Sequence, residues 1–193
     1  WEDLLKWEPG KRVDDDLNRA SVPLASRFQG KQINEQANPD AKIQALSNMN
    51  SKAKDHASVG GEEFKAYAFD YWQYLDSMVF WEGLVPSADV IDAAHRNGVP
   101  IYGTLFYNWS SSIKDQERFA ETLKEDSEGS KTFPIARKLV DLAKYYGFDG
   151  YFINQETTGN LVEPLGPKLR DFLLYTKEYA KSVNYPIKYS WYD

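Results

Sequence analysis

The chain has 193 residues, 42% hydrophobic and 27% charged, with 29 acidic against 23 basic side chains and a net charge of −6. That length suits one domain, and interspersed charges with an acidic balance exclude the basic footprint of a nucleic-acid binder. No apolar run approaches the roughly 18 residues of a membrane span, and the absence of cysteine excludes disulfides, thiolate metal sites and cysteine nucleophiles.

Only His56 and His95 are available, which leaves little room for a His-rich metal centre; on the reading reached below, no metal or organic cofactor is expected. Aromatic residues make up 15% of the chain, with 6 Trp, 13 Tyr and 10 Phe. Rings on this scale serve either a packed core or a carbohydrate site, where flat faces cover the apolar faces of sugars. The chain opens at Trp1 with no charged-then-apolar leader ahead of it, so a targeting segment is expected to have been removed or never included.

Residues 1–20 read as an irregular lead-in, marked by Glu8-Pro9-Gly10 and the run Asp14-Asp15-Asp16. Three consecutive aspartates suit a solvated loop, since calcium ligands need wider alternation. A strand is expected at 43–49. Phe64, Tyr67, Ala68 and Tyr71 fall at helical spacing. A second strand follows at 75–81. Ser87 then caps a helix carrying Val90, Ile91, Ala93 and Ala94, which Gly98 ends. A third strand occupies 100–107, with its proline at the first position, where a missing N–H is tolerated. Asp115 is placed to cap a short helix with Phe119 and Leu123. Pro134 suits the first turn of another, with Ile135, Leu139, Leu142 and Tyr146 on one face and Gly147 behind it. Strands at 148–154 and 187–192 flank a helix through Leu169, Phe172, Leu173, Thr176, Tyr179 and Ala180.

Strands alternating with helices predict βαβ units and a parallel sheet, an α/β fold. No GxGxxG fingerprint points to a dinucleotide fold. An open five-stranded sheet would leave edges that are hard to protect. The expected architecture is therefore a (β/α)8 TIM-type barrel. Residues 1–193 would supply about the first five βα units of a single catalytic domain, with the remaining strands beyond residue 193.

The most informative stretch is Phe148-Asp149-Gly150-Tyr151-Phe152-Ile153-Asn154-Gln155-Glu156. In a strand, residues i and i+2 share a face, so Asn154 and Glu156 point together and Gln155 points away. In a barrel this strand end is the mouth, where active sites are built. The two other strong strands also end in aromatics, Phe80-Trp81 and Phe106-Tyr107-Asn108-Trp109. A strand leaving into a polar loop would look similar, but an apolar strand with aromatic surroundings favours a site. Most glycosidases use two carboxyl groups. One carboxyl beside one amide suits substrate assistance instead. There the 2-acetamido oxygen of an N-acetylglucosamine attacks its own anomeric carbon, the amide orients the acetamide, and Glu156 serves as general acid and then base.

The stretch FDGYFINQE resembles the FDGxxIN-x-E catalytic strand of glycoside hydrolase family 85, the endo-β-N-acetylglucosaminidases. It also resembles the FDGxDxDxE strand of chitinases, with Asn154 where that family has an acid. Tyr71-Trp72-Gln73-Tyr74-Leu75-Asp76, Ala93-Ala94-His95-Arg96-Asn97-Gly98-Val99, Gly103-Thr104 with Trp109, and Ser190-Trp191-Tyr192-Asp193 are similar to further family 85 signatures. The similarity runs from about residue 20 onward. Asn48-Met49-Asn50-Ser51 departs from the His-Asp-Met motif of many members.

The resemblance implies an enzyme that hydrolyses the β-1,4 bond of the N-acetylglucosamine pair at the core of N-linked glycans, with transfer to acceptor hydroxyls as a second outcome. It implies Asn154 as the residue that positions the acetamide, Glu156 as acid/base and Tyr192 as support for the oxazolinium-like intermediate. Trp81, Tyr107 and Trp109 are expected to line the sugar site, with core packing as their alternative role. His95, on a helix away from the mouth, is expected to be structural. The implied partners are N-linked glycans on glycoproteins, with no nucleic acid and no membrane span. Bacterial members favour a secreted or cell-surface location over a cytoplasmic one. The alternatives are a chitinase-like hydrolase of N-acetylglucosamine polymers and a non-catalytic glycan-binding barrel.

Overall fold

A computed structural model describes residues 1–12, 15–27, 36, 38, 40–47, 69–81 and 83–192. Five strands form one sheet in the order in which they occur along the chain: β1 (Gln44–Ser47), β2 (Ser77–Phe80), β3 (Ile101–Ser110), β4 (Gly150–Thr157) and β5 (Lys188–Tyr192). Every neighbouring pair is parallel. Each predicted strand is present, but β3 and β4 run three residues further than the apolar pattern indicated. In β4 the extension adds the polar residues Gln155, Glu156 and Thr157 to the strand. Asn48–Ser51 and the helical spacing at Phe64–Ala68 lie outside the described residues.

Helices link β2 through β5: α2 (Ala88–Arg96), α3 (Ile113–Thr122), α4 (Pro134–Tyr146) and α5 (Gly166–Ser182). In α4, Pro134 occupies the first turn, where its missing N–H costs nothing. Ile135, Leu139, Leu142 and Tyr146 are buried on one face. Gly147 closes the helix at φ 87°, a left-handed conformation that glycine adopts without steric cost. The cap of α3 differs from expectation. Ser112 is the N-cap, its Oγ accepting from the Asp115 N–H at 3.2 Å and donating to the Asp115 carboxylate at 2.7 Å. Asp115 thus sits at the third helical position, where a carboxylate completes a reciprocal cap.

Sequential strand order with right-handed crossovers puts the linking helices on one side of the sheet. That side holds the main core, where Met78, Phe80, Ile101, Leu105, Tyr151 and Ile153 meet Ile91, Phe119, Leu139, Ala143 and Phe172. The opposite side carries a small cluster of strand residues alone, Val79, Tyr102 and Phe152 with Trp81 against them. This is a parallel-sheet α/β fold consistent with part of a barrel. Gly103 faces the helical side, and a Cβ there would come within 2.0 Å of the Leu84 carbonyl oxygen. Only glycine lets the segment after β2 cross the strand so closely.

The lead-in is more regular than expected. It contains α1 (Glu2–Lys6) and a 3-10 turn at Asp15–Asn18. It is tied to the helical layer over long sequence separations. Trp1 Nε1 donates to the Arg118 carbonyl, the Trp7 ring packs on Tyr145 and Tyr146, and Lys138 Nζ donates to the Trp7 carbonyl. Asp15 is buried rather than solvated and accepts from the Tyr146 hydroxyl at 2.7 Å. Asp14 lies outside the described residues. His95 is buried near the start of the strands. Its Nδ1 lies 2.6 Å from the Val22 carbonyl and its Nε2 lies 2.9 Å from Asp149 Oδ2, which also accepts the Ile101 N–H. His95 therefore joins the lead-in to β3 and β4 at the end opposite the Asn154–Glu156 pair. Among the described residues no helix is long and apolar enough to cross a membrane.

Candidate active site

Strand pairing decides which side chains can meet. In a parallel ladder, register partners share a face. Phe106 is paired with Asn154, and Tyr107 with Gln155. Because β4 stays extended to Thr157, Asn154 and Glu156 project to the same side, the one that none of the described helices covers. Asn154 is buried, with 2% of its surface exposed, while Glu156 is partly exposed. Asn154 Nδ2 donates to Glu156 Oε2 at 2.9 Å. Gln155 turns away and closes a local loop, donating to the Thr157 carbonyl and accepting the Thr157 N–H.

An aromatic wall flanks the pair. The Trp81 ring meets Phe106 edge-on at 5.2 Å and Phe152 at 6.0 Å. Phe106 neighbours Asn154 across the ladder, and Phe152 precedes it by two residues on the same face. The position of Trp81 is fixed through Thr104, whose hydroxyl donates to the Phe80 carbonyl and whose N–H donates to the Gly83 carbonyl. This amide, carboxyl and aromatic set can bind a flat-faced sugar, orient a polar substituent and exchange a proton. Among the described residues no group of three His, Asp or Glu side chains is placed to hold a metal ion.

The other expected site residues are distributed as follows. Tyr107 stands on the helical face, correcting its expected place on the sugar wall. It is 3% exposed, its ring meets Phe119 edge-on at 5.0 Å, and its hydroxyl pairs with Thr122 Oγ1 at 2.8 Å. Burial pushes its phenol far above the ordinary tyrosine range, so it remains neutral. Phe106 takes the place expected of it. The stretch IYGTLFY is apolar on both faces, so alternation alone does not say which ring faces the site; the register with β4 does. Trp109 lies near the end of β3, 88% exposed, within the register shift between Tyr107 and Ser110. The backbone of Tyr192 pairs directly with Asn154.

The model of glycosyl hydrolase family 85 matches residues 47–193. This chain belongs to that family. The family match includes the strand carrying Asn154 and Glu156, while residues 1–46, with the lead-in, lie before it. The chain is similar to the glycoside hydrolase domain of Endo-D from Streptococcus pneumoniae R6. It is 78% identical to that solved structure with a TM-score of 0.93, covering 100% of this chain and 30% of that one. It is 30% identical to a cytosolic endo-beta-N-acetylglucosaminidase of Gallus gallus, over 88% of this chain and 22% of the relative. The Homo sapiens protein of the same name is 29% identical over 83% of this chain and 20% of its own length. The chain thus spans about a fifth of the length of these curated relatives.

Proposed function

We propose that this family 85 chain forms the first five βα units of a (β/α)8 catalytic barrel. The complete protein would cleave the β-1,4 bond between the two core N-acetylglucosamines of N-linked glycans. The observation that carries the reading is the Asn154–Glu156 pair on the helix-free face of β4, 2.9 Å apart beside Trp81, Phe106 and Phe152. The names of the relatives and the Endo-D structure support the substrate class.

The mechanism is substrate-assisted and retaining. The acetamide oxygen attacks C1 of its own sugar as the glycosidic C1–O bond breaks, and the Glu156 carboxyl gives its proton to the leaving oxygen. Asn154 Nδ2 is held by Glu156, which leaves Oδ1 to accept the acetamide N–H and stabilise the positive charge that grows there as the ring closes. Water then attacks C1, Glu156 takes its proton, and the C1–O bond to the acetamide breaks, restoring the sugar. An alcohol in place of water gives transglycosylation. Trp81 and Phe106 supply the apolar wall for the sugar. Trp109 extends this surface at the rim, and Tyr192, whose backbone pairs with Asn154, is assigned to support the intermediate. An acid in place of the amide, as in chitinases, would serve polymer cleavage; position 154 is asparagine.

The test is incubation of the full-length protein with an N-glycosylated protein, followed by mass measurement of what stays on the asparagine. One retained N-acetylglucosamine is expected with the wild type, and Glu156→Gln should slow release about 10²–10⁴-fold. An intact glycan with the wild type, or Glu156→Gln activity within a few-fold of it, would contradict the reading.

A further inference from the structure

α3 is a polar, surface-facing helix, yet one glutamine in it is buried. Gln116 is 4% exposed. Both ends of its amide are engaged, and each reaches a different loop at the strand ends. Nε2 donates to the Ser111 carbonyl at 2.8 Å, in the loop after β3. Oε1 accepts the Leu161 N–H at 3.0 Å, in the loop after β4.

The chain that follows Glu156 is folded around this amide. Thr157 Oγ1 donates to the Asn108 carbonyl, and the Thr158 N–H donates to the Ser110 carbonyl. Gly159 then turns the chain at φ 128°, and its carbonyl accepts the N–H groups of Val162 and Glu163. Gly159 lies so close to Gln116 that a Cβ would come within 2.5 Å of the glutamine amide. Val162, at the end of the turn, is buried in the main core. The Gln116 amide therefore bridges the loops after β3 and β4, reaching the second at Leu161, five residues beyond Glu156.

We infer that Gln116 is a positioning residue, which fixes the C-terminal end of β4 and so the placement of Glu156; this rests on the functional reading above. Gln116 is on the helical side of the sheet and has no contact with the Asn154–Glu156 face. It acts only through the Thr157–Leu161 turn. Its loss leaves the Ser111 carbonyl and the Leu161 N–H without their partner and frees the turn. A small displacement of an acid/base group affects the chemical step far more than sugar stacking, because Phe106 sits on β3 and Trp81 directly follows β2.

The test uses Gln116→Met in the full-length protein, which keeps most of the side-chain volume and removes both hydrogen bonds. Hydrogen exchange at the Thr158 and Leu161 amides should accelerate while the β4 core amides at Tyr151–Ile153 stay protected. On an N-glycan substrate kcat should fall about ten-fold or more, with KM within about two-fold of wild type. Gly159→Ala, which drives a methyl group into the same amide from the other side, should give the same kinetic signature and guards against a misfolded first variant. Faster loop exchange with unchanged kcat, or a loss confined to KM, would overturn the inference. An inactive Glu156→Gln beside a fully active Gln116→Met overturns it and leaves the functional reading standing. A wild-type protein that leaves the glycan intact overturns the reading itself, and the exchange data then still decide whether Gln116 holds the turn.

Discussion

Phe106 and Tyr107 are neighbours in the chain but face opposite problems. Tyr107 points into the helical layer, with its ring against Phe119 and its hydroxyl on Thr122. Phe106 points to the helix-free side, packs on Trp81 and is 36% exposed. The same division continues in β4, where Tyr151 and Ile153 join the core while Phe152 and Asn154 face the other way. A parallel strand with a period of two thus carries stability on one face and chemistry on the other. Substitutions on the two faces should separate cleanly into losses of folding and losses of activity.

The largest test of that division is Tyr107→Ala. It empties a buried aromatic site and removes the Tyr107–Thr122 hydroxyl pair, leaving the Thr122 hydroxyl only its bond to the Arg118 carbonyl, so unfolding free energy should fall by about 3–5 kcal/mol. Activity per folded molecule should stay near wild type. Phe106→Ala should do the reverse, with little change in a denaturant midpoint and a clear fall in kcat/KM. A Phe106→Ala protein as active as wild type would place the sugar wall elsewhere. Gly103→Ala is next in size. Its Cβ would collide with the Leu84 carbonyl, which belongs to backbone and moves only with the whole segment. A loss of about 1–3 kcal/mol is expected, together with a displaced Trp81, whose intrinsic fluorescence should shift. An unchanged spectrum would show that the bonds of Thr104 and of the Trp81 N–H to the Ser47 carbonyl fix the tryptophan without the close approach at Gly103.

The smallest effect comes from the base of the sheet. Burial lowers the pKa of His95, but its bonds to Asp149 and to the Val22 carbonyl outweigh that and leave it raised above 6.5. A raised pKa means the folded protein holds this proton more tightly than the unfolded chain. The stabilisation is therefore complete below the ordinary histidine range and is lost as pH rises through the folded pKa. Denaturant midpoints measured from about pH 5 to about pH 8 should decline modestly for the wild type. In His95→Asn this decline should flatten, and an identical slope in both proteins would remove His95 from the account.

Much of this division was legible in the sequence. The five strands, the helix boundaries at Ser87 and Gly147, and the shared face of Asn154 and Glu156 follow from period-two and helical spacing with turn residues at the right places, although the Ser87 side chain makes no capping bond. The choice between Phe106 and Tyr107 was not legible, because a strand buried on both faces has no polar side to orient it. Only its pairing with β4 supplies the answer. The reading of Asp15 as solvated failed because its partner, Tyr146, lies far along the chain. Gln116 gave no local signal either: a glutamine on a polar helix looks exposed until the loop after β4, 45 residues further along the chain, is brought to it.

The central claim is that the acetamide of the substrate is the nucleophile and that Asn154 orients it. Steady-state kinetics of Asn154→Ala with an intact N-glycan and with a synthetic glycan oxazoline test this directly. The intact glycan requires Asn154 to form the intermediate, so its hydrolysis should slow by about 10²–10³-fold. The oxazoline already contains that bond and should still be consumed at a rate much closer to wild type, with the transfer product accumulating because it is hardly cleaved again. Equal impairment on both donors, or a trapped sugar–enzyme ester, would contradict substrate assistance through Asn154.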